Sequence, residues 1–229
     1  MFLYHAYKSC HHGHCQKENQ LDAVKTITKH YDMIEIDFVY FNNQYISSHD
    51  YDVDTIKNGS TLEEWIEYII LHNKILWIDL KDTNLNIFTY STQLNIPHLI
   101  NILDLLSLKY QNLKQHIILG CQFTNGYKQL LNEQHDYVVI NDLPKDYMYA
   151  LNYISPDFLK SGINMLTNYI IQNDSNIIAI DKSYFNTLEV LQQFIDDCTS
   201  SIIIIYNFEE GNITPESVDK HIIIQYNYK

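Results

Sequence analysis

Basic residues are scarce in this chain. Only 15 lysines and arginines stand against 28 aspartates and glutamates, a formal net charge of −13. A field of that sign repels nucleic acid and anionic membrane surfaces at long range, so neither is expected as a partner. It does not exclude a small anionic substrate, because a bound cation inverts the sign locally. Cysteine is sparse as well: of Cys10, Cys15, Cys121 and Cys198, only the first two are close in sequence. The dense framework of a disulfide-stapled secreted domain is therefore not expected. No apolar run approaches the roughly 20 residues of a membrane span. The opening Met1-Phe-Leu-Tyr-His5 has neither the basic stretch nor the apolar stretch of about 7–15 residues that marks a signal peptide. A soluble, cytoplasmic chain is the expectation. Gly-rich phosphate loops are missing too, and no internal repeat or linker interrupts the 229 residues.

What the chain does have is 46% apolar residues, enough for a full core, arranged in a regular alternation. Eight short apolar runs predict strands at Phe2–Tyr7, Met33–Tyr40, Ile75–Leu80, His116–Cys121, Tyr137–Asn141, Asn176–Ile180, Ser201–Tyr206 and His221–Tyr226. Several are almost wholly apolar, as a parallel sheet covered on both faces requires. Segments of helical period separate them: Asn19–His30, Thr61–His72, Ile96–Gln111, Gly126–Glu133, Lys145–Asn173, Asn186–Asp197 and Pro215–Asp219. Ser60/Thr61 followed by Glu63/Glu64 is a capping-box type of start. Eight strand–helix alternations predict an α/β fold, a (β/α)8 TIM barrel, as a single domain over residues 1–229. A doubly wound open sheet shares the alternation and is the structural alternative.

Reactive groups of such a barrel sit at the C-terminal ends of its strands. The first run offers His5 there. The second, Met33-Ile-Glu-Ile-Asp-Phe-Val39, puts Glu35 and Asp37 two residues apart, hence on one face. The third, Ile75-Leu-Trp-Ile-Asp-Leu-Lys81, does the same with Asp79 and Lys81. His49 follows in Ile46-Ser-Ser-His-Asp50. Like charges on a buried face are costly unless something pairs them. A divalent cation with a preference for hard oxygen ligands, Mg²⁺ or Ca²⁺, is the natural partner. Each residue alone is commonplace; together they would burden a core without a ligand.

These segments resemble the glycerophosphodiester phosphodiesterase family of phospholipase-C-like phosphodiesterase barrels. The likeness runs through Glu18-Asn-Gln-Leu-Asp22 and its helix, Ile34-Glu-Ile-Asp-Phe38, His49-Asp50, the Ser60-Thr-Leu62 turn and Trp77-Ile-Asp-Leu-Lys81, and covers residues 1–81. Residue by residue it implies that Glu35, Asp37 and Asp79 bind the metal. It implies that His5 and His49 are the acid–base pair, and that Lys81 contacts the phosphate of a small phosphodiester substrate. Imidazoles titrate at about 6.5 and suit both proton transfers near neutral pH.

The chain departs from the family pattern in several places. His5-Ala-Tyr7 replaces His-Arg-Gly, so a phosphate-binding arginine is missing. The loop after it is longer and reads Cys10-His-His-Gly-His-Cys15, a cluster of zinc-capable ligands or an ordinary loop at the barrel mouth. Asp79 stands where the hydrolases usually have Glu, closer to the spider-toxin type of phospholipase D. Tyr206 is the nearest aromatic to the family's tryptophan near strand seven. Two further functions thus accompany the hydrolase: a phospholipase D-like lyase forming a cyclic phosphate, and a decayed barrel kept as a binding protein. Gln122, Asn141, Asp142 and Lys182 end later strands as possible pocket residues.

Overall fold

A computed structural model describes residues 6–8, 19–24, 33–49, 53–81, 95–121, 129–142, 177–181, 185, 187–198, 200, 202–208 and 221–227. Nine strands are found there. They are β1 (Ala6–Lys8), β2 (Met33–Phe41), β3 (Gln44–Ser47), β4 (Ile75–Leu80), β5 (Ile117–Cys121), β6 (Val138–Asp142), β7 (Ile177–Asp181), β8 (Ile202–Phe208) and β9 (His221–Asn227). All but β3 pair in parallel, in the order β1-β9-β8-β7-β6-β5-β4-β2, and β1 also pairs with β2. The parallel ladder therefore runs full circle through eight strands. This is the TIM barrel expected from the alternation, and the circle excludes the open doubly wound sheet.

The two faces of each strand go to different places, as the two-residue period of a strand demands. On β2 and β4, Ile34, Ile36, Phe38, Leu76, Ile78 and Leu80 are buried in a cluster with Leu62, Trp65, Ile66 and Ile69 of one helix and Leu99 and Leu103 of another. The alternate residues Met33 and Trp77 join Ile140, Ala179 and Ile204 in a second cluster, which fills the barrel interior. Trp77 fits because β5 offers Gly120 against it: a Cβ on Gly120 would stand 2.2 Å from the indole Nε1.

The helices among the described residues include α1 (Leu21–Val24), α2 (Val53–Ile56), α3 (Leu62–Leu71), α4 (Ile96–Lys109) and α5 (Leu188–Asp197), with a short 3-10 turn at Leu113–Gln115. The expected capping box starts α3: Thr61 Oγ1 accepts from Glu64 N, and Thr61 N donates to Glu64 Oε2 at 2.8 Å. Asn73, at φ 51°, ends it. Lys74 N donates to Ile69 O at 2.9 Å and Asn73 N to Ile70 O at 3.3 Å, a Schellman closure. No described helix is long and apolar enough to cross a membrane.

Most element ends shift by one or two residues from the sequence expectation, and three differences near the site matter more. The described part of the first strand is Ala6–Lys8, and Lys8 is its residue in register with Glu35. Asn19 does not open a helix; it has φ 57°, and α1 begins at Leu21. The antiparallel β3 adds a hairpin to β2 through Asn42 and Asn43, both with positive φ. That is the turn geometry whose twist matches a two-residue hairpin. His5, the Cys10–Cys15 loop, Gln122, Lys182 and the expected helices over 145–173 and 215–219 lie outside the described residues.

Candidate metal centre

The period of β2 and β4 turns Glu35, Asp37 and Asp79 to the barrel interior, and register places Asp37 directly beside Asp79. All three are buried, at 2%, 2% and 0% exposure. One carboxylate oxygen from each can be chosen so that all lie within 4.8 Å of one another. The sequence expectation that these acids share one face of adjacent strands is thus met.

Lys81 extends β4 over them. Its backbone N donates to Phe38 O at 2.9 Å, holding the residue to β2. Its Nζ lies 3.0 Å from Asp37 Oδ1 and donates to Asp79 Oδ2, with only 15% of the side chain exposed. Burial works against the ammonium charge, but Asp37, Asp79 and Glu35 together outweigh it and hold Lys81 protonated well above the ordinary lysine value. Three carboxylates and one ammonium leave two negative charges. Among the described residues, Asp79 Oδ1 is buried without a hydrogen-bond partner. A buried anionic oxygen in that condition is costly, and an all-oxygen donor set with a double negative excess fits a hard divalent cation.

Asp37 is held from outside the triad. Asn19 Nδ2 donates to Asp37 Oδ2 at 3.1 Å, and Asp37 N donates to Asn19 Oδ1 at 3.2 Å. Ser47 Oγ donates to Asn19 O at 2.6 Å and accepts from Ser60 N at 2.9 Å. Ser48 N donates to Asp37 O at 2.9 Å. His49, half-buried, is therefore one residue from an anchor on the strand that carries Asp37. The structure brings Glu35, Asp37, Asp79 and Lys81 together and fixes the segment before His49. Asn19 was not among the expected site residues, although it stands in the Glu18-Asn19 pair on which the family resemblance drew.

No family model matches the sequence, and no curated protein does. Solved structures do. A Galdieria sulphuraria protein assigned as a glycerophosphodiester phosphodiesterase superposes with TM-score 0.60 at 13% identity, over 98% of this chain and 94% of that one. The glycerophosphodiester phosphodiesterase of Thermotoga maritima gives TM-score 0.54 at 16% identity, over 90% of this chain and 88% of that one. The enzyme of the same description from Agrobacterium tumefaciens gives 0.56 at 11%, over 96% and 94%. The chain thus shares, along nearly its whole length, the barrel fold of glycerophosphodiester phosphodiesterases.

Proposed function

We propose that this chain is a metal-dependent phosphoric diester hydrolase acting on small, glycerophosphodiester-type substrates, with residues 1–229 as one catalytic domain. One observation carries the reading: a buried Glu35–Asp37–Asp79 cluster in which one carboxylate oxygen from each lies within 4.8 Å of the others, on a barrel shared with proteins of that description. Glu35, Asp37 and Asp79 would hold one divalent cation, Mg²⁺ or Ca²⁺. Such an ion supplies charge stabilisation to a non-bridging phosphoryl oxygen. Lys81, already at the cluster, would add a second positive contact to the phosphate. His5 and His49 would share the proton exchange with the attacking and leaving oxygens, a division of labour that rests on the family resemblance.

The test is turnover of a generic diester, such as bis-p-nitrophenyl phosphate, and of glycerophosphodiesters, with Mg²⁺ or Ca²⁺ added. A chelator should abolish activity and the ion restore it. His5→Ala and His49→Ala should each lower kcat by about 10²–10⁴-fold while metal binding persists. Full activity after exhaustive metal removal would sink the role of the triad, and retained activity in either histidine variant would sink that histidine. Loss in a His11, His12 or His14 variant instead of His5→Ala would move the role to that loop. Asp79 in place of the usual Glu favours one second reading, internal attack giving a cyclic phosphate. Phosphorus NMR of the products separates the two.

A further inference from the structure

We infer that Asn19 is a positioning residue for the metal centre, holding the Asp37 carboxylate in the orientation a cation needs. This rests on the reading of Glu35, Asp37 and Asp79 as a cation site. The argument begins with a gap in the strand ladder. On the side of β2 away from β4, Met33, Ile34 and Glu35 pair with β1, and Phe38 to Phe41 pair with β3. Among the described residues, Asp37 falls between the two partners. Its carbonyl is met by Ser48 N, and its N–H is met by the side chain of Asn19.

A backbone partner could have satisfied that N–H, but it would have left the carboxylate free to rotate. The Asn19 amide reaches both groups, its oxygen to the Asp37 N–H and its nitrogen to Oδ2. That divides the carboxylate: Oδ2 takes the amide, and Oδ1 faces Lys81 at 3.0 Å. The side chain can do this because Asn19 is 1% exposed and adopts φ 57°, a conformation that Asn tolerates better than most residues. The backbone carbonyl of the same residue is gripped by Ser47 Oγ, two residues before His49. One buried residue therefore fixes a ligand's rotamer and the entry to the histidine segment together. Outer-shell partners of this kind orient ligands and tune affinity.

Mn²⁺ binding measured by electron paramagnetic resonance tests the inference without reference to turnover. Asn19→Asp keeps an acceptor for the Asp37 N–H and tolerates the left-handed backbone, but replaces the amide donor with a second carboxylate. Asn19→Gly keeps the backbone freedom, removes both side-chain bonds and adds no buried charge, so it serves if the Asp variant does not fold. In each folded variant the Mn²⁺ Kd should rise about 10–100-fold and the bound-ion spectrum should change. A variant with a lowered melting temperature but the wild-type Kd and spectrum has lost only a structural residue, and overturns the inference. Wild type that binds no Mn²⁺ overturns the cation site itself and this inference with it. Wild type that binds, beside variants that bind equally well, overturns the inference alone.

Discussion

The proposed cation site would make opposite demands on Lys81 when empty and when filled. Without a cation, the Lys81 ammonium is the counter-charge set against the buried Asp37 and Asp79 carboxylates. Were the proposed cation bound, that need would fall and the charge would be available to a phosphate. Removing one partner of a buried ion pair costs about 3–5 kcal/mol, because the other is left uncompensated. Lys81→Ala should therefore be destabilised by about that much in chelator, and Mg²⁺ should raise its melting temperature by more than it raises that of wild type. Equal metal-induced shifts, read by differential scanning calorimetry, would show that the lysine does not neutralise the cluster. At this scale the triad was legible from spacing alone, since Glu35-x-Asp37 and Asp79-x-Lys81 sit on apolar strands whose neighbours must face the helices. Asn19 was not. A polar residue before a helical run reads as the start of that helix, and nothing local shows that its amide is directed to a strand 18 residues on. The arginine missing after His5 is part of a wider absence: all 15 basic residues are lysines, so any basic side-chain contact beyond histidine is a point charge rather than a planar fork.

The β2–β3 hairpin carries His49's segment and is itself tied to α4. Tyr45 is fully buried, and its hydroxyl donates to Asn95 O at 2.9 Å, just before α4 begins. Burial, helped by the neighbouring Tyr40, raises this phenol well above its ordinary 10.0. A group whose folded value is raised contributes stability that is complete below the unfolded value and falls as pH climbs past it. Tyr45→Phe should thus lose about 0.5–1.5 kcal/mol at neutral pH, and the gap from wild type should narrow above pH 10. Urea titrations at neutral and alkaline pH measure both; a gap that stays constant or widens would contradict the burial account. The eight parallel strands were readable because both faces are apolar over most of each run. The hairpin strand Gln44–Ser47 escaped the strand count because its four residues run exposed, buried, half-buried, buried. Its identity lies in the paired positive-φ asparagines and in its partner. The cap of α3 was legible because Thr61 and Glu64 satisfy each other locally, with no distant contact needed.

The whole molecule presents a field set by its −13 charge. On the proposed function, an anionic diester would approach the site against that field, whereas a zwitterionic diester would feel no net repulsion. Raising salt from roughly 20 to 200 mM shrinks the Debye length to below about 10 Å. The kcat/KM for a net-anionic diester should rise over that range, and that for a zwitterionic one should stay nearly level. A ratio of the two that does not change with ionic strength would remove long-range charge from substrate selection. The circular ladder has a different consequence, one in time. Ala6 pairs with Gln225, so the ring joins strands separated by most of the chain, and pairings that distant are slow to form. A ribosome delivers β2 and β4, with their three carboxylates, long before β9. Until β9 arrives, those acids belong to an unfinished wall with open strand edges, the condition in which partly made chains associate wrongly. The closed wall on which the proposed ion site depends is therefore among the last features the nascent chain completes.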